Sequence, residues 1–358
     1  MKILFMLNSQ YAWKTGCWLY RVRFPGMALR EKEHKVRYLA LGREIVDEWM
    51  NWPDVVVYGR GYAIDVIPSI EEYKKLGKRV VCDIDDDVWN VNPDNPAETR
   101  RASADRQSQT AGLLKASDVV TTTTDILKKQ LQKFNKNVVV IPNSFPLDKF
   151  PQRKQRSDKL RIGYTGAASH WGDLSLILDV VYELQQKHEF DFILQGLIGV
   201  PIIAEIYTYR QILRQQAEPE RKQYYESALE LWEKLKRIKF IHIPFYPPEL
   251  YPALLSDLDL DIGLAPLQDN KFNQSKSCIK MYEYTATGTP TLASNVLPYS
   301  NEVGYCAKNK YRDWYRKLEK LIVDKDFREK LLSKQQKFVQ ENRDIKKIVE
   351  LYEKTYKG

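Results

Sequence analysis

Cysteine is scarce in this chain. Four occur among 358 residues (Cys17, Cys82, Cys278 and Cys306), none in a C-x-x-C. That excludes a zinc ribbon or a disulfide scaffold and points to a reducing, cytoplasmic setting. Long apolar runs are missing as well. No stretch approaches the ~18 consecutive apolar residues of a membrane-spanning helix. The apolar start Met1-Lys2-Ile3-Leu4-Phe5-Met6-Leu7 runs into Asn8, Ser9 and Gln10 instead of small residues. It reads as a buried first strand, not a signal peptide. Only four histidines are present, and no H-E-x-x-H, P-loop or G-x-S-x-G occurs. The common signatures of zinc hydrolases, P-loop enzymes and serine hydrolases are therefore absent. Glycine (16) and proline (17) follow no period, so collagen and low-complexity linkers are excluded.

What remains is a globular composition: 43% hydrophobic, 12% aromatic and 29% charged residues. The length suggests two or three domains. The net charge of +9 suits a partner that carries phosphates: a nucleotide, a nucleic acid or an anionic membrane surface.

Short apolar runs alternate with longer periodic segments. Strands are expected at Ile3–Leu7, Val36–Leu41, Val55–Tyr58, Arg79–Cys82, Val119–Thr122 and Val138–Ile141, with helices at Leu19–Arg30, Ile64–Leu76, Ala102–Lys115 and Asp125–Phe134. Strands alternating with helices predict a parallel sheet covered on both faces. Pro142 and Pro146, followed by a polar run to Asp158, read as a linker. The alternation then restarts. Strands are expected at Leu160–Thr165, Phe190–Gln195, Phe240–Ile243, Leu258–Leu264 and Thr289–Ala293, and helices at Leu174–Lys187, Pro248–Leu255 and Ser277–Thr287. A charged, Tyr-rich segment at 200–238 reads as a helical insertion, and 311–358 as a helical tail. The expectation is α/β: two tandem Rossmann-like, doubly wound units, 1–150 and 151–310, followed by helices. Ligands of open α/β sheets bind at the carboxyl ends of strands, so two facing units place a ligand between them.

Four segments carry the chemistry. In the first, Ser275-Lys276-Ser277-Cys278-Ile279-Lys280-Met281-Tyr282-Glu283, helical spacing sets Lys276, Lys280 and Glu283 on one face. Ser275 and Ser277 fall at the helix start, where free N–H groups favour anions. Two lysines there suit a diphosphate, and a carboxylate one turn further can accept from a ribose diol. In the second, strand Arg161–Thr165 enters Gly166-Ala167-Ala168-Ser169-His170; small residues let a backbone approach a ligand closely. In the third, Asp83-Ile84-Asp85-Asp86-Asp87, four carboxylates crowd a strand end, where like charges raise one another's pKa. A D-x-D metal site is one reading and an acceptor-side base the other. The lysines already serve a diphosphate, which favours Asp85 or Asp86 as a base. In the fourth, Gly16 is followed by Arg21 and Arg23; the nearby aromatics can stack on sugars and the arginines can grip phosphate. Arg60 ends another strand and is a further candidate for the cleft.

The layout resembles the GT-B glycosyltransferases, specifically the large retaining family with an E-x7-E pair (family 4-like, or group 1). Glu283-Tyr284-Thr285-Ala286-Thr287-Gly288-Thr289-Pro290 is similar to that family's E-A-M-A-x-G-x-P stretch. Leu258 to Pro266 matches its A-D-x-x-x-x-P-S strand, and Ile141-Pro142-Asn143 its V-I-P-N. The resemblance implies that Glu283 holds the nucleotide ribose, that Phe245 and Tyr246 touch the nucleobase, and that His170 and Lys280 support the leaving diphosphate. Gly166, Ser169, Ser275, Lys276 and Ser277 complete the implied donor site. It also implies that 1–150 binds the acceptor through Gly16, Arg21, Arg23 and Arg60, and that the last helix packs back on that domain. Ser275 stands where the family has its first glutamate.

The implied function is transfer of a sugar from a nucleotide-diphosphate sugar, UDP- or GDP-linked, to an acceptor hydroxyl in glycan biosynthesis. Retention of configuration, no required cofactor and no metal are expected. The acceptor is a glycan, a lipid-linked molecule or a nucleic acid, with an anionic membrane as a peripheral contact. Two alternatives stand beside it. One is a phage-type enzyme that glycosylates DNA bases, using the basic linker Arg153, Lys154, Arg156 and Lys159. The other is a degenerate, non-catalytic binder of nucleotide sugars or glycans, for which Ser275 is the best argument.

Overall fold

In a computed structural model, the described residues are 1–7, 16–40, 47–59, 66–91, 103–154, 157–167, 170–196, 230–302 and 304–358. Arg60, Ser169, Arg156 and most of the expected insertion at 200–238 lie outside them.

Two six-stranded parallel sheets carry the chain, so the α/β expectation holds. The first has the order β2-β1-β3-β4-β5-β6, with β1 Lys2–Leu7, β2 Lys35–Ala40, β3 Val55–Gly59, β4 Arg79–Ile84, β5 Val119–Thr122 and β6 Val138–Val140. The second has the order β12-β11-β10-β7-β8-β9, with β7 Arg161–Thr165, β8 Asp191–Gln195, β9 Ile241–Ile243, β10 Ile262–Ala265, β11 Thr291–Ser294 and β12 Tyr305–Ala307. Strands such as Val55-Val56-Val57 are buried throughout, as β-branched runs in a sheet covered on both faces should be. The strand order reverses between β1 and β3 in one sheet and between β7 and β10 in the other. Each reversal opens a crevice at the strands' carboxyl ends.

Three local readings are corrected. The helix expected from Ser277 begins at Ile279, so Lys276 precedes it. The strand expected at Leu258–Leu264 starts only at Ile262, because Asp259 takes a left-handed backbone (φ 54°) that a strand does not accommodate. The three-residue strand β12, Tyr-Cys-Ala, was not expected, because it lacks the β-branched residues that mark the equally short β6 and β9. The helix expected at Leu19–Arg30 is in fact two segments. A π-helix, Trp18–Arg23, runs directly into an α-helix, Phe24–Glu31.

The chain passes between the sheets twice. The first crossing follows β6. The second lies between helix Lys325–Asn342, whose Gln335 side chain bonds the backbone of Thr291 on the second sheet, and helix Ile345–Lys357, which packs on Phe24–Glu31. The two crossings are hydrogen-bonded to each other. Phe145 N–H donates to Arg343 C=O and Ile345 N–H to Phe145 C=O, both at 3.1 Å, in a parallel bridge of Phe145 with Asp344.

Candidate active site

A cleft of about 390 Å³ lies between the carboxyl ends of the two sheets. From the first half it is lined by Gly16, Tyr20, Arg21, Asp85, Asp86 and Asn143. From the second half come Gly166, His170, Phe245, Tyr246, Lys276, Ser277, Lys280 and Glu283, with Gln195, Tyr251 and Phe272 among their neighbours. The structure therefore gathers residues as far apart as Gly16 and Tyr299 into one site.

Lys280 is the second residue of helix Ile279–Ala286, its Nζ 5.6 Å from the centre of the Tyr164 ring. Burial and the neighbouring Lys276 push its pKa down to about 8, against the pull of Asp173 and Glu283. Lys276 lies over the face of Phe272 at 4.5 Å. His170 immediately precedes helix Trp171–Gln185, and its Nδ1 is 2.8 Å from Asp173 Oδ2. Burial, then Lys280 and Lys276, lower His170 to about 4. At neutral pH the imidazole is uncharged, donates from Nδ1 to Asp173, and leaves Nε2 as an acceptor. Asp173 itself is fixed by the Gln268 N–H at 2.7 Å and the Asn273 side chain at 3.3 Å. Two ammonium groups therefore face an uncharged ring.

Glu283 is buried, and burial raises its pKa to about 7 despite donors from Tyr20 and the nearby Lys280. Tyr20 Oη donates to Oε1, and Tyr251 Oη donates to Oε2 at 3.3 Å. Tyr251 also meets Thr165 Oγ1 at 2.9 Å. Neither tyrosine is singled out by the sequence. A buried carboxylate demands donors, but nothing local says that one arrives from 263 residues away.

Gly166 follows β7, and its N–H donates to Gln195 C=O at 3.0 Å. A Cβ there would sit 2.9 Å from the Tyr164 ring, so only glycine fits. Phe245 and Tyr246 line the same cleft and are strongly exposed, 61% and 38%, an open aromatic surface rather than a core.

The acidic run divides by role. Asp83 is buried against Arg21, Nε to Oδ1 at 2.9 Å and Nη2 to Oδ2 at 2.6 Å, and also accepts from Thr121 at 2.5 Å. Asp87 closes a turn by accepting from the N–H groups of Trp89 and Asn90. Asp85 and Asp86 alone of the four reach the cleft. Among the described residues no group of three or more His, Cys, Asp or Glu side chains is arranged to hold a metal ion.

Several expected contacts fall elsewhere. Arg21 borders the cleft, but its guanidinium is spent inside the protein, with Nη1 donating to Ile141 C=O at 2.8 Å and Asn143 Oδ1 at 3.1 Å. Arg23 lies outside the lining and pairs with Glu249 at 3.9 Å. Ser275 is fully buried, its hydroxyl donating to Phe272 C=O at 2.7 Å, so it presents nothing to the cleft. Ser277 does line the cleft and accepts from Asn143 Nδ2 at 2.8 Å. In the linker, Arg153 is held by Asp261 at 2.8 Å and Lys159 by Asp191 at 3.0 Å.

No family model matches the chain, and no curated protein matches it in sequence. Solved structures do resemble it in fold. Alr3699/HepE of Anabaena, in complex with UDP and glucose, is similar at a TM-score of 0.66 and 12% identity, with all of both chains covered. An α-glucosyltransferase in complex with UDP-glucose and DNA containing an abasic site gives 0.66 and 13%, covering 99% of this chain and 98% of the other. A glycosyltransferase of Rickettsia africae gives 0.62 and 13%, with 99% and 97% covered. Two parallel sheets, a cleft between their carboxyl ends and a helical tail that returns to the first sheet give this chain the GT-B fold of those glycosyltransferases.

Proposed function

We propose that the protein is a glycosyltransferase that moves a sugar from a nucleoside-diphosphate sugar to an acceptor hydroxyl. The observation that carries this reading is the paired ammonium groups of Lys276 and Lys280 beside a neutral His170, one helical turn from the buried Glu283. In this arrangement the diphosphate lies against Lys276, Lys280 and the Ser277 hydroxyl, and the ribose diol against Glu283. The base rests on Phe245 and Tyr246. That wall is full of positive charge before any ligand arrives, so charge developing on the leaving diphosphate as the anomeric C–O bond breaks is met by groups already in place. Bound diphosphate raises the pKa of both Lys280 and His170, and so favours a third cation beside the two lysines. The acceptor enters from the first half, where its hydroxyl oxygen bonds to the anomeric carbon and Asp85 or Asp86 takes its proton. The lysines supply the charge that a metal would otherwise supply. Retention of configuration and membership of the E-x7-E family rest on the motif resemblance.

Thermal stabilisation by UDP, GDP, ADP, CMP and dTDP, each with and without EDTA, tests the donor site. A shift with one diphosphate that survives EDTA supports it. Lys280→Ala should remove both that shift and transfer while the protein stays folded. No shift with any nucleotide overturns the reading, and a shift lost in EDTA moves the diphosphate to a metal at the acidic run.

DNA is the acceptor that a further observation favours: the +9 charge, together with a similarly folded α-glucosyltransferase whose complex contains DNA with an HMU base. The linker does not support it, because Arg153 and Lys159 are already paired. Salt-dependent duplex binding decides the matter. Glycan and lipid-linked acceptors remain open to the same cleft.

A further inference from the structure

Glu283 is reached from both sides of the cleft, and the two phenols that reach it are not equivalent. Tyr251 belongs to the same half as Glu283 and is held a second time by Thr165 Oγ1 at 2.9 Å. Thr165 in turn meets Tyr284 Oη at 3.1 Å, and its N–H donates to the same hydroxyl at 2.8 Å. This set stays together whatever the first half does. Tyr20 belongs to the first half. Its neighbour Arg21 anchors the segment there through Asp83, Ile141 and Asn143, and its ring packs edge-on against Phe24 and Phe145. Tyr20 therefore travels with the first sheet, and its bond to Glu283 is the one that any separation of the halves breaks.

Tyr20 and Glu283 both line the cleft, so the Tyr20 hydroxyl stands where a second hydroxyl must come to use the Glu283 oxygens fully. Resting on the nucleotide reading above, we infer that Tyr20 is a displaceable stand-in for the ribose diol. It occupies Glu283 in the empty protein, and a nucleotide must exchange its own hydroxyl for that of Tyr20. Tyr20 is on this account a positioning residue that competes with the ligand, not one that binds it. The exchange costs affinity in the native protein and releases the π-helix from the donor half when the donor is bound.

The sign of the effect makes it testable. Phenylalanine at this position keeps both ring contacts and removes only the hydroxyl. Affinities for UDP and for 2′,3′-dideoxy-UDP are measured by calorimetry on the native protein and on Tyr20→Phe. Tyr20→Phe should bind UDP about threefold to tenfold tighter, the strength of one net hydrogen bond, with dideoxy-UDP unchanged. The ratio between the two nucleotides thus widens. Tyr251→Phe, which breaks the set that stays with the donor half, should not tighten UDP binding. A purely structural role predicts a lower melting temperature and equal changes for both nucleotides. An unchanged or narrowed ratio in a Tyr20→Phe protein that still binds UDP overturns the inference alone. Failure of the native protein to bind either nucleotide overturns the inference together with the reading it rests on.

Discussion

Burial turns ordinary side chains of this cleft into groups that titrate near neutrality. The folded Glu283 holds its proton up to about pH 7, well above a free glutamate. Between pH 4.5 and 7 the folded state therefore binds more protons than the unfolded one, and stability falls as pH rises through that window. Glu283→Gln removes this slope and keeps a carbonyl oxygen to accept from Tyr20. The melting temperature of the variant should be flatter across that range and higher at pH 8, by an effect on the order of 3 kcal/mol. Nucleotide affinity should fall, since an amide accepts more weakly than a carboxylate. Differential scanning fluorimetry across pH, paired with UDP titration, checks both. A native-like slope in the variant would assign the titration to another group. Lys280 runs the opposite way. Its pKa is depressed to about 8, so charging it opposes folding, and stability rises with pH from there towards the unfolded value.

At the scale of elements, the π-helix organises the first half. Its wider turn brings two consecutive residues to different tasks: Tyr20 reaches Glu283 while Arg21 enters the ends of β4 and β6. Such bulges mark functional positions more often than chance. The Arg21–Asp83 pair is fully buried, and removing one partner strands a charge. Arg21→Ala should therefore cost about 3–5 kcal/mol. Arg21→Lys should recover little, because one ammonium cannot reproduce the four donations to Asp83, Ile141 and Asn143. Urea unfolding measures both; a loss below about 1 kcal/mol would show the pair to be dispensable. This element also shows where sequence reading stops. Apolar spacing correctly announced a helix near Leu19, but one extra residue per turn over six residues leaves no periodic trace. Arg21 looked like a ligand contact because its partner lies 62 residues away. That Lys280, Glu283 and His170 come together at the cleft was legible: helical spacing paired the first two, and family resemblance supplied the third. Tyr20 and Tyr251 were not, because their role exists only once distant strands are brought together.

At the scale of the whole molecule, the two sheets are joined by the helical tail as much as by the linker. Helix Ile345–Lys357 buries Ile345, Val349, Tyr352 and Tyr356 against the first half. His34 meets Glu353 at 2.7 Å and the amino terminus at 3.0 Å. Truncation after Asn342 should expose that apolar face and leave the protein aggregated or melting at least ~10 °C lower, given the several large side chains lost from the core. Size-exclusion chromatography and fluorimetry would show it. A monomer with unchanged melting would mean that the tail is ornamental. The doubly wound order of both sheets was legible from alternating strands and helices. The return of the tail to the first sheet was only implied by resemblance, because no local pattern records which distant surface a helix will cover.

The paired crossings at Phe145 and Asp344 have a mechanical consequence. Two tethers lying side by side and hydrogen-bonded to each other bend together with ease, but they must wind around one another to twist. The halves are therefore joined by a flat strap rather than a swivel. Opening the cleft tilts one sheet away from the other while resisting rotation about the line between them. If the halves part, Asp85 and Asp86 on one rim would therefore keep their alignment with Lys276 and Lys280 on the other.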